Sequence, residues 1–110
     1  MNGYDIDGVL LKHDGTEPVV PEEPFIIISG RTWAEYDGIC KSMAQSAAVY
    51  IRGTGKFDDR EGASRFKVAM IKYLGVTTYH EDDPVQAQII RENCPHIVVV
   101  EYPYTPPEVV

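Results

Sequence analysis

The order of apolar runs and helical patterns predicts an α/β fold: a mainly parallel, five-stranded sheet with helices on both faces, a three-layer α/β/α arrangement. Short apolar or β-branched runs at residues 25–28, 48–52, 76–80 and 97–101 have strand length and lack the alternation of a one-sided sheet. Helical patterns fill the gaps between them, and a short first strand ends at Asp5. Strands and helices that take turns imply parallel pairing with right-handed crossovers, and ligands then bind at the carboxyl ends of the strands.

Each element has its own signal. In the first helical pattern Trp33, Tyr36, Cys40, Met43 and Ala47 recur at spacings of three and four, with Thr32 and Glu35 spaced as a capping box. A second helix covers about 64–74 and stops at Gly75, and a third starts at Pro84 and continues to about Asn93, ahead of Cys94-Pro95. Only Met1 to Tyr4 precede Asp5, and Asn and Gly are poor strand formers, so the first strand is expected to be short or irregular. Residues 1–102 form the core domain and 103–110 an extended, Pro-rich tail.

At 110 residues the chain is one domain with a single core, and 44% hydrophobic with 25% charged residues is a globular composition. A net charge of −7 argues against strong binding to duplex nucleic acid or anionic membrane, but leaves room for a small anionic substrate held by a local metal. The apolar runs are far too short for a spanning helix, and the N-terminus lacks the regions of a signal peptide. Cys40 and Cys94 belong to no metal-type spacing, so reduced thiols in a cytoplasmic protein are expected.

On an extended strand Asp5 and Asp7 point to the same face, and two like charges that close repel unless a cation sits between them or one holds a proton. A metal-assisted site is one reading. A hairpin turn at Asp7-Gly8 is the other. The ligand-site rule favours the metal, because Asp5, Ser29-Gly30-Arg31 and Glu81-Asp82-Asp83 all fall at the carboxyl ends of expected strands.

Asp5-Ile6-Asp7-Gly8-Val9-Leu10 resembles the first motif of the haloacid dehalogenase-like (HAD) phosphohydrolases, DxDG[TV]L. Ile26-Ile27-Ile28-Ser29-Gly30-Arg31 resembles their second motif, Lys67 the third-motif lysine, and Tyr79-His80-Glu81-Asp82-Asp83 the acidic fourth motif. The ordered match covers roughly residues 1–100. The resemblance implies a Rossmann-like fold and a Mg²⁺-dependent phosphatase. In it Asp5 is the nucleophile that forms an aspartyl-phosphate, and Asp7 is the general acid and then the base for water. It also implies that Mg²⁺ is held by Asp5, by the Asp7 backbone carbonyl and by an acid of the fourth motif, Asp82 or Asp83. Ser29 and the amide of Gly30 are expected to hold a phosphate oxygen, with Arg31 on the substrate or in a salt bridge.

The residues themselves narrow two choices. At about 100° per residue, Lys67 shares its helix face with Ile71 and Leu74 while Lys72 is turned roughly 140° away, so Lys67 is the buried, anion-seeking lysine. Asp83 precedes Pro84 and suits a helix N-cap, which makes Asp82 the first choice of metal ligand, with Asp83 reaching the ion directly or through water. Glu81 is read as ending the strand, and Gln86 stands where many family members carry another acid.

Other patterns fail. The Asp5–Gly8 stretch lacks the further ligands of a calcium loop, and Gly53-Thr54-Gly55-Lys56 lacks the rest of a phosphate loop. His13, His80 and His96 have no ligand spacing, although His13 lies on the flap where it could touch a substrate. Between Gly8 and Phe25 there is only a short flap with Pro18, Pro21 and Pro24, so the chain is similar to the capless subgroup, whose open sites serve macromolecular ends, protein phosphates or substrates enclosed by another subunit. Its Ser-Gly-Arg sequence and late acidic pair also resemble the 3′-phosphatase domains of polynucleotide kinases, against which stands an acidic surface with no strand-binding track. A non-catalytic binding or assembly module on the same fold is the alternative from another class.

Overall fold

A computed structural model describes residues 1–32, 41–55 and 59–104. Five strands, β1 (Asn2–Tyr4), β2 (Phe25–Thr32), β3 (Val49–Gly53), β4 (Thr78–Glu81) and β5 (Val98–Glu101), form one sheet in the order β3-β2-β1-β4-β5, with every pair parallel. Among the described residues two α-helices, α1 (Arg60–Leu74) and α2 (Pro84–Asn93), and a 3₁₀ helix at Lys41–Gln45 complete the elements. The chain is thus a small α/β domain with an all-parallel sheet.

The shortest strand takes the centre. β1 pairs with β2 through Gly3↔Ile26 and with β4 through Gly3↔Tyr79. Glycine at this position has a packing reason: a Cβ on Gly3 would stand 3.0 Å from the Tyr79 ring and 3.2 Å from Val76, so its absence admits the buried ring beside the central strand. The Tyr79 hydroxyl then donates to the Ile28 carbonyl at 2.6 Å, satisfying its buried polar end.

Period-2 alternation on β2 divides the core. Ile26 and Ile28 face a cluster with Ile71 of α1 and Ile90 and Cys94 of α2, so both α-helices share one face of the sheet. Phe25 and Ile27 face the other side, packed with Tyr4, Ile6, Val9 and Leu10, where the flap residues and Met43 of the 3₁₀ helix provide the cover. The expected first helix lies mostly at residues 33–40, outside the described residues, and its described end is 3₁₀ instead of α-helical.

Several boundaries differ from the sequence reading, β3 and β5 each starting one residue later than expected. Ser29, Gly30 and Arg31 belong to β2, which runs on to Thr32 through a register irregularity against β3; the capping box expected of Thr32 and Glu35 involves residues outside the described ones. Helix α1 begins at Arg60, four residues earlier than the periodicity suggests, because the Asp59 carboxylate accepts from the Gly62 amide at 2.9 Å. Strand β4 starts at Thr78, since the Val76 amide is still bonded to Ile71 in the helix terminus, where Gly75 takes φ 68°. Helix α2 spans the expected residues. Of the expected tail, Tyr104 lies over the Arg60 guanidinium, 5.5 Å from its carbon to the ring centroid. Among the described residues no helix is long and apolar enough to cross a membrane.

Candidate cation site

Period 2 selects the side chains that meet above the helix-bearing face. Tyr4 and His80 stack at 3.9 Å on the flap side, so their neighbours Asp5 and Glu81 point to the helix side, toward α1. Lys67, on the same face of α1 as buried Ile71, is 1% exposed and its ammonium enters between them. Its Nζ donates to Asp5 Oδ2 at 3.1 Å, Glu81 Oε1 at 2.7 Å and Gln86 Oε1 at 2.7 Å, which uses all three of its protons. Lys72 is exposed, as the helix geometry predicts.

Carboxylate oxygens of Asp5, Glu81 and Asp82 lie within 4.8 Å of one another. Asp5 is also fixed by its neighbours: its amide donates to the His80 carbonyl at 3.1 Å, continuing the ladder past β1, and its Oδ1 accepts from the Ile6 amide at 2.9 Å. Glu81 accepts from the Asp82 and Asp83 amides through Oε2. Asp82, half-buried, rests against Gly8, where the chain turns at φ 81°. A Cβ on Gly8 would fall 1.9 Å from Asp82 Oδ2, so only glycine allows the acid its place.

Electrostatics make this cluster hungry for positive charge. Burial raises the Asp5 carboxyl well above the usual range, with Lys67 opposing and Glu81 and Asp7 adding to the rise. Burial likewise raises Glu81 against the pull of Lys67, and burial together with Asp5 pushes Asp82 up to about 6. For Lys67 burial works downward, but Asp5 and Glu81 outweigh it and hold the ammonium charged. Three carboxylates against one ammonium leave two negative charges when all are ionised, which a divalent cation balances. The donors are hard oxygens, the set that suits Mg²⁺ or Ca²⁺ over softer metals.

The other expected site residues are placed differently. The Asp7 carboxylate lies outside the cluster: Arg31 holds it as a bidentate pair, Nε to Oδ2 and Nη2 to Oδ1, both at 2.8 Å, which is the salt-bridge alternative expected of Arg31. Asp83, expected as a further metal ligand, is committed elsewhere. It caps α2 by accepting from the Val85 amide at 2.9 Å, receives the Gln86 amide at 3.0 Å, and pairs with both Arg60 Nε and Nη2. Burial acts upward on Asp83, yet these donors hold it below the usual carboxylate range. Ser29 is fully buried, and its Oγ accepts from the Arg31 amide at 3.2 Å. Gly30 lets β2 approach α1, since a Cβ there would stand 2.8 Å from that of Ala63, and its carbonyl accepts from Arg52 at 3.0 Å.

Two members of the site escaped the sequence reading. Glu81 is fully buried and pairs with Lys67, whereas it was expected only to end a strand. The signal was its spacing of two from Tyr79, a residue whose bulk marks the core-facing side of β4. Gln86 bridges Lys67 to Asp83, and its place one turn into α2 puts it on the side of its own N-cap.

No family model, curated protein or solved structure matches the chain. The fold and the site define a small α/β domain with a buried acidic triad suited to a metal ion.

Proposed function

We propose that the chain is a Mg²⁺-dependent phosphohydrolase of HAD type on a three-layer, Rossmann-like core without a cap, acting in the cytoplasm on a phosphorylated substrate. One observation carries the reading: Asp5 meets Lys67, Glu81 and Asp82 at the carboxyl ends of β1 and β4, although these residues are spread over most of the chain. Asp5 and Asp82 would hold the ion, with Glu81 shared with Lys67. When bound, Mg²⁺ supplies Lewis-acid stabilisation of a phosphoryl oxygen.

Asp5 attacks phosphorus in line, and the bond from phosphorus to the leaving-group oxygen breaks. Asp7, protonated once Arg31 has left it, gives that oxygen its proton and then takes one from the water that attacks the aspartyl-phosphate; the phosphorus–Asp5 oxygen bond breaks, releasing inorganic phosphate and restoring Asp5. Lys67 offsets charge on Asp5 and on the transferring group. Arg31, turning from Asp7 to the phosphate beside Ser29 and Gly30, would release Asp7 for proton transfer.

The test is turnover of an aryl phosphate with Mg²⁺ and with chelator, alongside Asp5→Asn. We expect turnover only with Mg²⁺ and a loss of at least about 10³-fold in Asp5→Asn. Turnover in chelator, or full activity of the variant, rejects the mechanism. A second reading, a non-catalytic metal-binding module, draws on the internal commitments of Asp7 and Ser29. Mg²⁺ binding without turnover across a panel of phosphate esters would favour it.

A further inference from the structure

A cavity of about 260 Å³ adjoins the site at Asp82 and is lined by Gly8, Lys12, His13, Asp14, Asp82 and Pro103. Its floor is Asp82, a member of the triad, and side-chain-free Gly8 keeps that floor open. The opposite wall is a turn of the flap. There the Lys12 amide donates to the Thr16 carbonyl and the Gly15 amide to the Lys12 carbonyl, both at 2.9 Å, with Gly15 at φ 83°.

Charge at this wall is unusual for the edge it adjoins. Arg31, Arg60 and Lys67 are each paired with carboxylates. Lys12, by contrast, forms no ion pair among the described residues, and the nearby Asp14 carboxylate turns back on its own loop, accepting from the Thr16 amide at 3.0 Å and its hydroxyl at 2.6 Å. A chain of net charge −7 therefore places the Lys12 ammonium, whose nearest acid Asp14 is bonded to its own loop, and the His13 imidazole in the lining of the cavity that Asp82 also lines.

The geometry points to a small phosphate monoester bearing a second anionic group as the substrate class, with its phosphate at the Asp82 end and its second anion on Lys12 and His13. The cavity is smaller than the roughly 300–1,000 Å³ of drug-sized ligand pockets, which suits a compact metabolite. This inference rests on the phosphohydrolase reading.

Two inert probes of similar size test it with Mg²⁺ present: phosphonoacetate, which carries a second anion, and ethylphosphonate, which does not. Each is titrated calorimetrically into the wild-type protein and the Lys12→Ala/His13→Ala variant, whose exposed positions leave folding intact, as a urea midpoint verifies. We expect phosphonoacetate to bind the wild type at least about tenfold more tightly, and the preference to collapse in the variant. Equal affinities in the wild type, or a preference that survives in the variant, overturn the substrate class and leave the aryl phosphate result standing. Binding of neither probe, together with no aryl phosphate turnover, overturns the phosphohydrolase reading and this inference with it.

Discussion

Acids at the carboxyl edge of the sheet fall in two regions that treat charge oppositely. In the buried region Asp5, Glu81 and Asp82 share one ammonium, and burial raises all three carboxyls above their usual range. Beside it each acid has a guanidinium of its own, Arg31 on Asp7 and Arg60 on Asp83, and Asp83, although as buried as Asp5, is held below its usual range. Asp82 and Asp83 are neighbours in sequence, yet they belong to different regions. Proximity of acids in a sequence thus says little about a metal site; a deficit of positive charge where water is excluded says far more.

The largest break in this contrast is expected at Lys67. Removing the ammonium in Lys67→Met leaves buried carboxylates uncompensated, and urea unfolding in chelator should show a loss of about 3–5 kcal/mol, partly recovered on adding Mg²⁺. A loss below about 1 kcal/mol, the level of an exposed pair, would show that the cluster is not a buried unit.

A crossed pair of substitutions sharpens the comparison further. Asp83→Ala should cost about 1–2 kcal/mol through the lost cap of α2 while leaving Mg²⁺ affinity nearly unchanged. Asp82→Asn should do the reverse, weakening Mg²⁺ at least about tenfold without destabilising the metal-free protein. Titration with Mg²⁺ and urea midpoints measure both, and equal effects of the two variants would erase the distinction between the regions.

The smallest expected effect is a slope with pH. Folded Asp82 keeps its proton up to about 6, whereas the unfolded chain releases it near about 3.9, so the folded state binds more protons in between. Its contribution to metal-free stability is therefore present below about pH 4 and lost as pH rises to about 6. Urea midpoints in chelator should fall more over this interval in the wild type than in Asp82→Asn, and Mg²⁺, which binds the ionised form, should stabilise increasingly across it. Parallel profiles for the two proteins would contradict the raised carboxyl.

Much of the fold was legible because local rules and packing agree. Pro84 after Asp83 announced α2, Gly75 announced the end of α1, and one helical wheel separated buried Lys67 from exposed Lys72. The start of α1 was hidden because Arg60 to Gly62 carry no apolar residue to set a period, leaving only the Asp59 cap. Glu81 was overlooked because an acid at the end of a strand reads as its solvent-facing terminus; the alternation of β4, with Tyr79 and Glu81 buried and Thr78 and His80 less so, carries the opposite message once Lys67 is placed beside it. Ser29-Gly30-Arg31 was placed at the end of the second strand, whereas β2 continues through it to Thr32, which pairs with Gly53 beyond a register shift.

The placement of β1 constrains how the domain assembles. This three-residue strand is first in the chain yet lies between β2 and β4, and Lys67 and Glu81 meet Asp5 only across separations of more than sixty residues. Such distant partners carry a large loop-closure entropy and slow the search. Asp5 consequently reaches its setting only when the longest loop has closed, and occupancy by a divalent ion would report completed folding.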